Sequence, residues 1–550
     1  MSFDETPLEV NGINNNPLES MIPTHGVVPD VERHHQRPRV ERKSKFHHLW
    51  ILLLLSFPMS SLAYMIFVPN FLYNVPNHRC KLANESNTNE SFTNNSVMWN
   101  QTVQMDPQCQ RLANTTKNPI GSVETEGCLD GWQYSKDMGV TVVTEFDLVC
   151  DDAWKRPTIQ CIFMIGLMIG SLLGGTLSDR FGRRVVLLSS FLGGGLLLLI
   201  LSFSHNYWCF VAVIFFLGAI HILTYSSIFI MAQESVPEHQ RALAALGINF
   251  SFGIGFLYVP LAGYFIKDWR WLLRIVSIAR CAYFPLLALL LKESPMWLDQ
   301  TRRKSQVVSS DRKQLNKKLS EAEVEDITAL KMLKTSLLCS NSVLRNRLLM
   351  ACFLWNVTFL CFYTLSLNSA NLGGNIYINC VFGALVDMAS YLCMFLLLRK
   401  TGRRNSLSLC IFISGAFCLL TPPLRPLNET VGVAASMIGR FFVTTSMSIA
   451  ILFTGEMFPT LLRNTSVGIA SMSARIGSAL SPYLIFSGEM IDLAIPFYVM
   501  GILAIIGSFF TLILPETSNA PLPDTLKDAL ALNKYRLDII RRRKSWFAKT

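Results

Sequence analysis

Twelve apolar runs, each about as long as a bilayer's hydrocarbon core is thick, leave this chain few folds to adopt. They fall at roughly 49–72, 157–177, 185–203, 207–231, 242–266 and 272–291, then 346–367, 376–398, 405–421, 431–454, 465–487 and 494–514. One such run can be a buried core helix. Twelve in series, separated by short polar breaks, cannot share one soluble core. In lipid a backbone must satisfy its own polar groups, so each run predicts a transmembrane helix and the chain an all-α membrane protein. Only 16% of the residues are charged and the mean hydropathy is +0.35, which excludes a disordered chain and an ordinary cytosolic enzyme. The net charge of +11 would suggest nucleic acid in a soluble protein. Here it belongs to loops, so the implied partner is the lipid bilayer and no nucleic acid. The first run is too long and too far from the start to read as a cleaved signal peptide, and Pro58 and Pro69 are expected to kink it.

The runs set the expected domains. Residues 1–45 form a cytosolic tail, 46–291 a six-helix half that includes a large loop at 73–156, 292–345 a linker, 346–514 a second six-helix half, and 515–550 a second tail. Lys and Arg concentrate on one side. Arg180, Arg183, Arg184, Arg399, Lys400, Arg403 and Arg404 outnumber Lys267, Arg270 and Arg425 on the other, so both termini are expected in the cytosol. The loop 73–156 holds Cys80, Cys109, Cys128 and Cys150, with N-x-S/T sequons at Asn84, Asn89, Asn94, Asn100 and Asn114. Disulfides and N-glycans both belong to the secretory lumen, which makes this loop extracellular and points to the plasma membrane. Four cysteines allow three pairings, and the sequence does not choose among them.

Three marks recur at nearly one offset. Asp179-Arg180-Phe181-Gly182-Arg183-Arg184 matches Arg399-Lys400-Thr401-Gly402-Arg403-Arg404 at 220. Glu234-x-x-Pro237-x-x-x-Arg241 matches Glu456-x-x-Pro459-x-x-x-Arg463 at 222, and Glu293-Ser294-Pro295 matches Pro515-Glu516-Thr517 at 223. The chain therefore reads as two homologous six-helix halves. Fixing topology needs positive charge but no repeated Glu-Pro-Arg spacing. The repeated residues Asp179, Arg180, Arg183, Arg184, Glu234, Arg241, Arg403, Arg404, Glu456 and Arg463 are read as a gate whose ion pairs latch the two halves at the cytosolic face.

Gly175-x-Leu177-x-Asp179-Arg180-x-Gly182-Arg183-Arg184 resembles the loop signature of the major facilitator superfamily. The cysteine- and sequon-rich first loop, Glu293-Ser294-Pro295-Met296-Trp297-Leu298 and Pro515-Glu516-Thr517 resemble, more narrowly, the organic cation, anion and carnitine transporter family. The likeness covers about residues 46–530 and departs at Met296, where the family usually has Arg.

Charge inside a span is costly and invites a functional reading. Asp387, Arg440 and Arg475 lie near mid-span in the second half, and Arg280 lies in the sixth run. If Asp387 neutralises one arginine, another is left to bind a carboxylate bidentately. The resemblance implies that anion and carnitine carriers have Arg near position 475 and cation carriers an acid. It also implies that Tyr391 stands where anion carriers have a Lys, as in the carnitine-type members. Tyr225, Trp355, Tyr363 and Tyr391 offer ring faces for a quaternary ammonium. These four, with Arg475 and Asp387, are the expected substrate-binding residues. Met65 stands where carnitine-type members carry an Asn, and a thioether is a poor ligand for sodium, so facilitated diffusion or exchange with a counter-substrate competes with sodium coupling.

No phosphate loop, metal-ligand spacing or nucleophile–base pair emerges, so neither an enzyme, a cofactor nor a metal site is implied. The expected function is a monomeric alternating-access carrier of small organic zwitterions or cations such as carnitine. An organic anion exchanger using Arg475 is the alternative, and a non-transporting receptor with the same fold a weaker one. Arg302-Arg303-Lys304-Ser305 and Arg542-Arg543-Lys544-Ser545 read as lipid-facing basic runs that phosphorylation could weaken.

Overall fold

The computed structural model describes residues 45–81, 109–112, 125–128, 131–135, 139–237, 240–299, 301–302, 340–518, 520, 523 and 528–531. The five sequons, the N-terminal tail, most of the linker, Ser305 and Ser545 lie outside the described residues.

Each apolar run coincides with one long helix. They are α1 (Lys45–Phe67), α2 (Lys155–Phe181), α3 (Arg183–Leu201), α4 (Tyr207–Glu234), α5 (Arg241–Phe265), α6 (Trp269–Leu290), α7 (Ser342–Leu367), α8 (Ile376–Lys400), α9 (Arg403–Leu424), α10 (Glu429–Met457), α11 (Thr460–Met490) and α12 (Ile495–Ile513). Eleven of them are long and apolar enough to cross a membrane. The remaining one, α11, has 31 residues, among them Arg463, Arg475 and the buried Ser466, Ser478 and Ser481. Pro58 sits inside α1 without ending it, and Pro69 opens a separate turn, Pro69–Leu72. Helix starts follow local chemistry. Asn206, Asp268, Asn341, Asn375 and Asn428 cap α4, α6, α7, α8 and α10, each accepting from the amide two residues on. Gly182 and Gly402, at φ of 100° and 83°, make the sharp α2–α3 and α8–α9 turns that a side chain would strain.

The duplication is visible in the packing. In the first half α1 packs on α5, α2 on α4, α3 on α4 and α3 on α6. In the second, α7 packs on α11, α8 on α10, α9 on α10 and α9 on α12. The halves meet where α2 packs on α11 and α5 on α8, a pair of contacts that exchange under the same symmetry. This is the arrangement of two matching six-helix halves that the repeat predicts.

Of the three possible pairings, the structure has Cys80–Cys128 and Cys109–Cys150. Short antiparallel strands accompany them: β1 (His78–Cys80) pairs with β4 (Trp132–Tyr134), and β2 (Gln110–Leu112) with β3 (Thr125–Gly127). The loop is fastened to the first half. Glu145 accepts from the Trp269 indole at 2.7 Å and binds the Arg270 guanidinium, which also donates to Ser204 O at 2.8 Å. This end of the bundle is the disulfide end; the other, bearing Arg183 and Arg403, is the basic end.

Candidate functional site

A cavity of about 1800 Å³ runs from mid-span to the basic end. Its inner part is lined by Tyr225 of α4, Trp355, Phe359 and Tyr363 of α7, Tyr391 of α8 and Arg475 of α11. The α7 residues stand four apart, so one helix face presents three rings in a stripe. Trp355 and Phe359 stack at 5.7 Å, and Phe359 meets Tyr363 at 6.4 Å. The Trp355 indole N–H is taken by Thr454 Oγ1 at 2.9 Å, which fixes the orientation of the ring. Helix α11 is drawn tightly against α7: Gly477 leaves no room for a side chain beside the Asn356 carbonyl, and Asn356 donates to Ser473 O at 3.0 Å. This close approach places the Arg475 guanidinium 5.7 Å from the Phe359 ring centre, beside Tyr225 and Tyr363. The Arg475 Nε is buried and finds no partner.

Asp387 stands apart from this wall. Arg440 of α10 grips it through Nε at 3.0 Å and Nη2 at 2.6 Å, and Thr444 Oγ1 donates to it at 3.0 Å. Arg440 is 1% and Asp387 4% exposed, so the pair is neutral and dry. Among the described residues, the only acids lining the cavity are Glu456 and Glu516 at its mouth. The inner cavity thus carries one uncompensated cation, Arg475, among aromatic faces. Met65 is buried in α1, beside the cavity-lining Ile66.

At the basic end the repeated residues build two matching networks. In the first half Arg183 pairs with Asp179 at 2.5 Å and with Glu234 at 3.7 Å, and Ser294 Oγ donates to Glu234 at 2.5 Å. Glu293 accepts from the Arg184 amide at 3.0 Å. In the second half Arg403 pairs with Glu456 at 3.3 Å, Thr517 Oγ1 donates to Glu456 at 2.5 Å, and Glu516 accepts from the Arg403 amide at 2.9 Å. Every one of these bonds lies within one half; no latch across the halves is formed in this state among the described residues. Arg241 makes a long contact to Met296 Sδ at 3.8 Å, and Arg463 leaves Nε and Nη2 without partners. Both line the mouth, as do Arg403 and Arg404. Arg180 lies over the ring of its neighbour Phe181. Sequence reasoning marked Glu293 and Glu516 as repeated but gave them no role; their shared offset was the signal that they cap α3 and α9.

The halves are joined instead at the disulfide end. Arg156 of α2 pairs with Glu489 of α11 at 3.1 Å, and Thr158 meets the Tyr483 hydroxyl at 3.0 Å. Lys267 donates to the Tyr377 hydroxyl at 2.8 Å, Asn70 donates to Ser366 O at 3.1 Å, and Phe71 stacks on Tyr377 at 5.4 Å. The bundle is sealed at the disulfide end and open at the basic end.

Residues 158–482 match the family model described as Major Facilitator Superfamily. Mouse solute carrier family 22 member 4 is 32% identical over 85% of this chain and 89% of its own length. Human organic cation/carnitine transporter 2 is 32% identical over 84% of this chain and 87% of its own. The inward-open xylose transporter XylE of E. coli superposes with a TM-score of 0.59 at 16% identity, covering 88% of this chain and 99% of that one, a likeness of fold.

Proposed function

The chain belongs to the major facilitator superfamily and, within it, to the solute carrier family 22 group of organic cation and carnitine transporters, and on that premise we propose that it carries small carboxylate-bearing organic zwitterions, carnitine among them, across the plasma membrane. One observation carries this reading: the inner cavity offers a single uncompensated guanidinium, Arg475, ringed by Tyr225, Trp355, Phe359, Tyr363 and Tyr391. A guanidinium suits a carboxylate, and ring faces suit a quaternary ammonium. A simple cation finds no counter-charge there, because Asp387 is spent on Arg440.

Both termini and the basic end lie in the cytosol, and the disulfide-bearing loop lies outside with its glycans. The open cavity then faces inward. Transport proceeds as the halves rock about the bound solute. Closing the basic end brings Arg241 toward the Glu456 network and Arg463 toward the Glu234 network, each in the facing half, and the Arg156–Glu489 seal parts. The transport unit is a single chain, and with Met65 in α1 the driving force is facilitated diffusion or exchange rather than sodium.

Uptake of labelled carnitine and of a labelled organic anion, in cells expressing the wild type or Arg475→Ala, tests this. Loss of both in the variant at normal surface level is expected. Undiminished carboxylate uptake refutes the role of Arg475. The same lone cation also favours an organic anion exchanger. Faster uptake of the organic anion than of carnitine, stimulated by preloaded anion, selects that second reading.

A further inference from the structure

Arg280, halfway along α6, is 1% exposed and forms no ion pair among the described residues. Its Nε and Nη2 are buried without partners. The sequence makes room for it: a Cβ at Gly194 of α3 would stand 2.9 Å from Nη2, and the guanidinium lies 4.8 Å from the Phe191 ring centre. Ser277, one turn away, spends its hydroxyl on Gly195 O. His221 of α4 lines the cavity and lies within Coulombic reach of both Arg280 and Arg475. The Arg280 charge therefore acts from outside the cavity lining, and no carboxylate among the described residues pairs with it.

A buried cation without a partner costs several kcal/mol and is retained poorly unless it does something. A phenylalanine or leucine would fill the α3–α6 contact without that cost. The group stays charged at any physiological pH. In a water-poor wall its field reaches the cavity with little loss.

We propose that Arg280 is the charge-selectivity residue of the first half: its charge, felt at His221, makes the first-half side of the cavity positive, so carboxylate-bearing solutes are favoured and solutes of net positive charge are turned away. It touches no solute, and Arg475 remains the contact. The inference rests on the carrier reading above and sharpens it, by assigning selectivity to both halves.

The test compares labelled carnitine with its methyl ester, which keeps the ammonium and loses the carboxylate charge. Wild type, Arg280→Gln, Arg280→Lys and Arg475→Gln are assayed at matched surface levels. The carnitine-to-ester ratio of kcat/KM is expected to fall about tenfold in Arg280→Gln, the scale of one unit charge acting across roughly 10 Å of partly screened protein. Most of that change should be in KM, and Arg280→Lys should restore the ratio. A packing role would lower both substrates together. An unchanged ratio, or a parallel fall, overturns the proposal. If Arg280→Gln does not reach the surface, Gly194→Asp places a carboxylate beside the Arg280 guanidinium, at a position that does not line the cavity, with Arg280 intact. The same fall is expected there, and an unchanged ratio overturns the proposal equally. Wild type that takes up neither compound refutes the carrier reading itself. A normal ratio in Arg475→Gln beside an altered one in Arg280→Gln refutes the role of Arg475 alone.

Discussion

Replacing Asp387 by Asn should destabilise the second half far more than replacing both members of its ion pair. Arg440 is gripped through two nitrogens and is 1% exposed, so the variant leaves a guanidinium in a dry crossing of α8 and α10. Removing one partner of such a buried pair costs about 3–5 kcal/mol, which is roughly two to four powers of ten in the folding equilibrium. Removing both charges together, as Asp387→Asn with Arg440→Met, removes the orphan as well. That double variant should return to within about 1–2 kcal/mol of wild type, because desolvating the ions offsets most of their attraction. The measurement is a double-mutant cycle, completed by Arg440→Met alone, by reversible SDS unfolding of the purified protein in mixed micelles; the two single losses together should exceed the loss in the double variant by about 4 kcal/mol or more. Uptake provides a second readout. The double variant should keep the wild-type preference between carnitine and its methyl ester, since neither group lines the cavity. A cost under about 1 kcal/mol for Asp387→Asn, or no recovery in the double variant, would refute the structural role. Asp387 would then have to be free for solute.

Gly402→Ala, at φ 83° and with a Cβ 3.1 Å from the Glu516 carboxylate, should lower stability by about 1–3 kcal/mol and slow transport, as measured by melting in detergent and by uptake. Arg156→Ala removes a partly exposed pair across the halves, worth at most about 1 kcal/mol. It should raise labelling of a cysteine introduced at Thr158 by an impermeant thiol reagent up to about fivefold; unchanged labelling would show that Tyr377 and Asn70 carry the seal. Cys80→Ser and Cys128→Ser should each lower surface expression as much as their double variant, and Cys109→Ser with Cys150→Ser likewise, whereas any other pairing makes the losses add. Arg475→Lys should recover little of the carboxylate uptake lost in Arg475→Ala, because an ammonium cannot form the two-pronged contact.

What the sequence made legible was what repeats or what has a length. A helix that spans lipid needs about twenty apolar residues, and each of the twelve runs became one helix. The paired offsets near 222 foretold two networks of one design, and Arg183–Glu234 and Arg403–Glu456 occupy matching places. Pairings between distant elements were not legible. The three possible disulfide sets differ only in how the loop folds. Nothing in the chain order tells whether Asp387 meets Arg440 or Arg475; the α8–α10 crossing decides it. Nor does spacing reveal that the gate bonds close within each half while the seal sits at the opposite end, because that depends on which state the bundle occupies. Arg280 looked in the sequence like one more span charge. Its isolation shows only once α3 packs against it.

The repeat also separates what the fold needs from what the solute needs. At the offsets set by the flanking gate residues, Arg440 corresponds to Gly218 and Asp387 to Leu167. In the first half the α2–α4 crossing is made by small residues. A Cβ at Gly218 would strike the Phe163 carbonyl, and one at Gly166 the Phe215 carbonyl, so the two backbones touch. In the second half the equivalent α8–α10 crossing is held by Asp387, Arg440 and Thr444 instead. One junction, two solutions: close glycine packing in one half and a neutral ion pair in the other. This places Asp387 and Arg440 with the scaffold. Arg475 and Arg280 behave differently. Their counterparts are Gly253 and Leu503, and neither arginine forms an ion pair among the described residues. The charges that the duplication did not copy, and that no carboxylate among the described residues neutralises, are the ones left to read the solute.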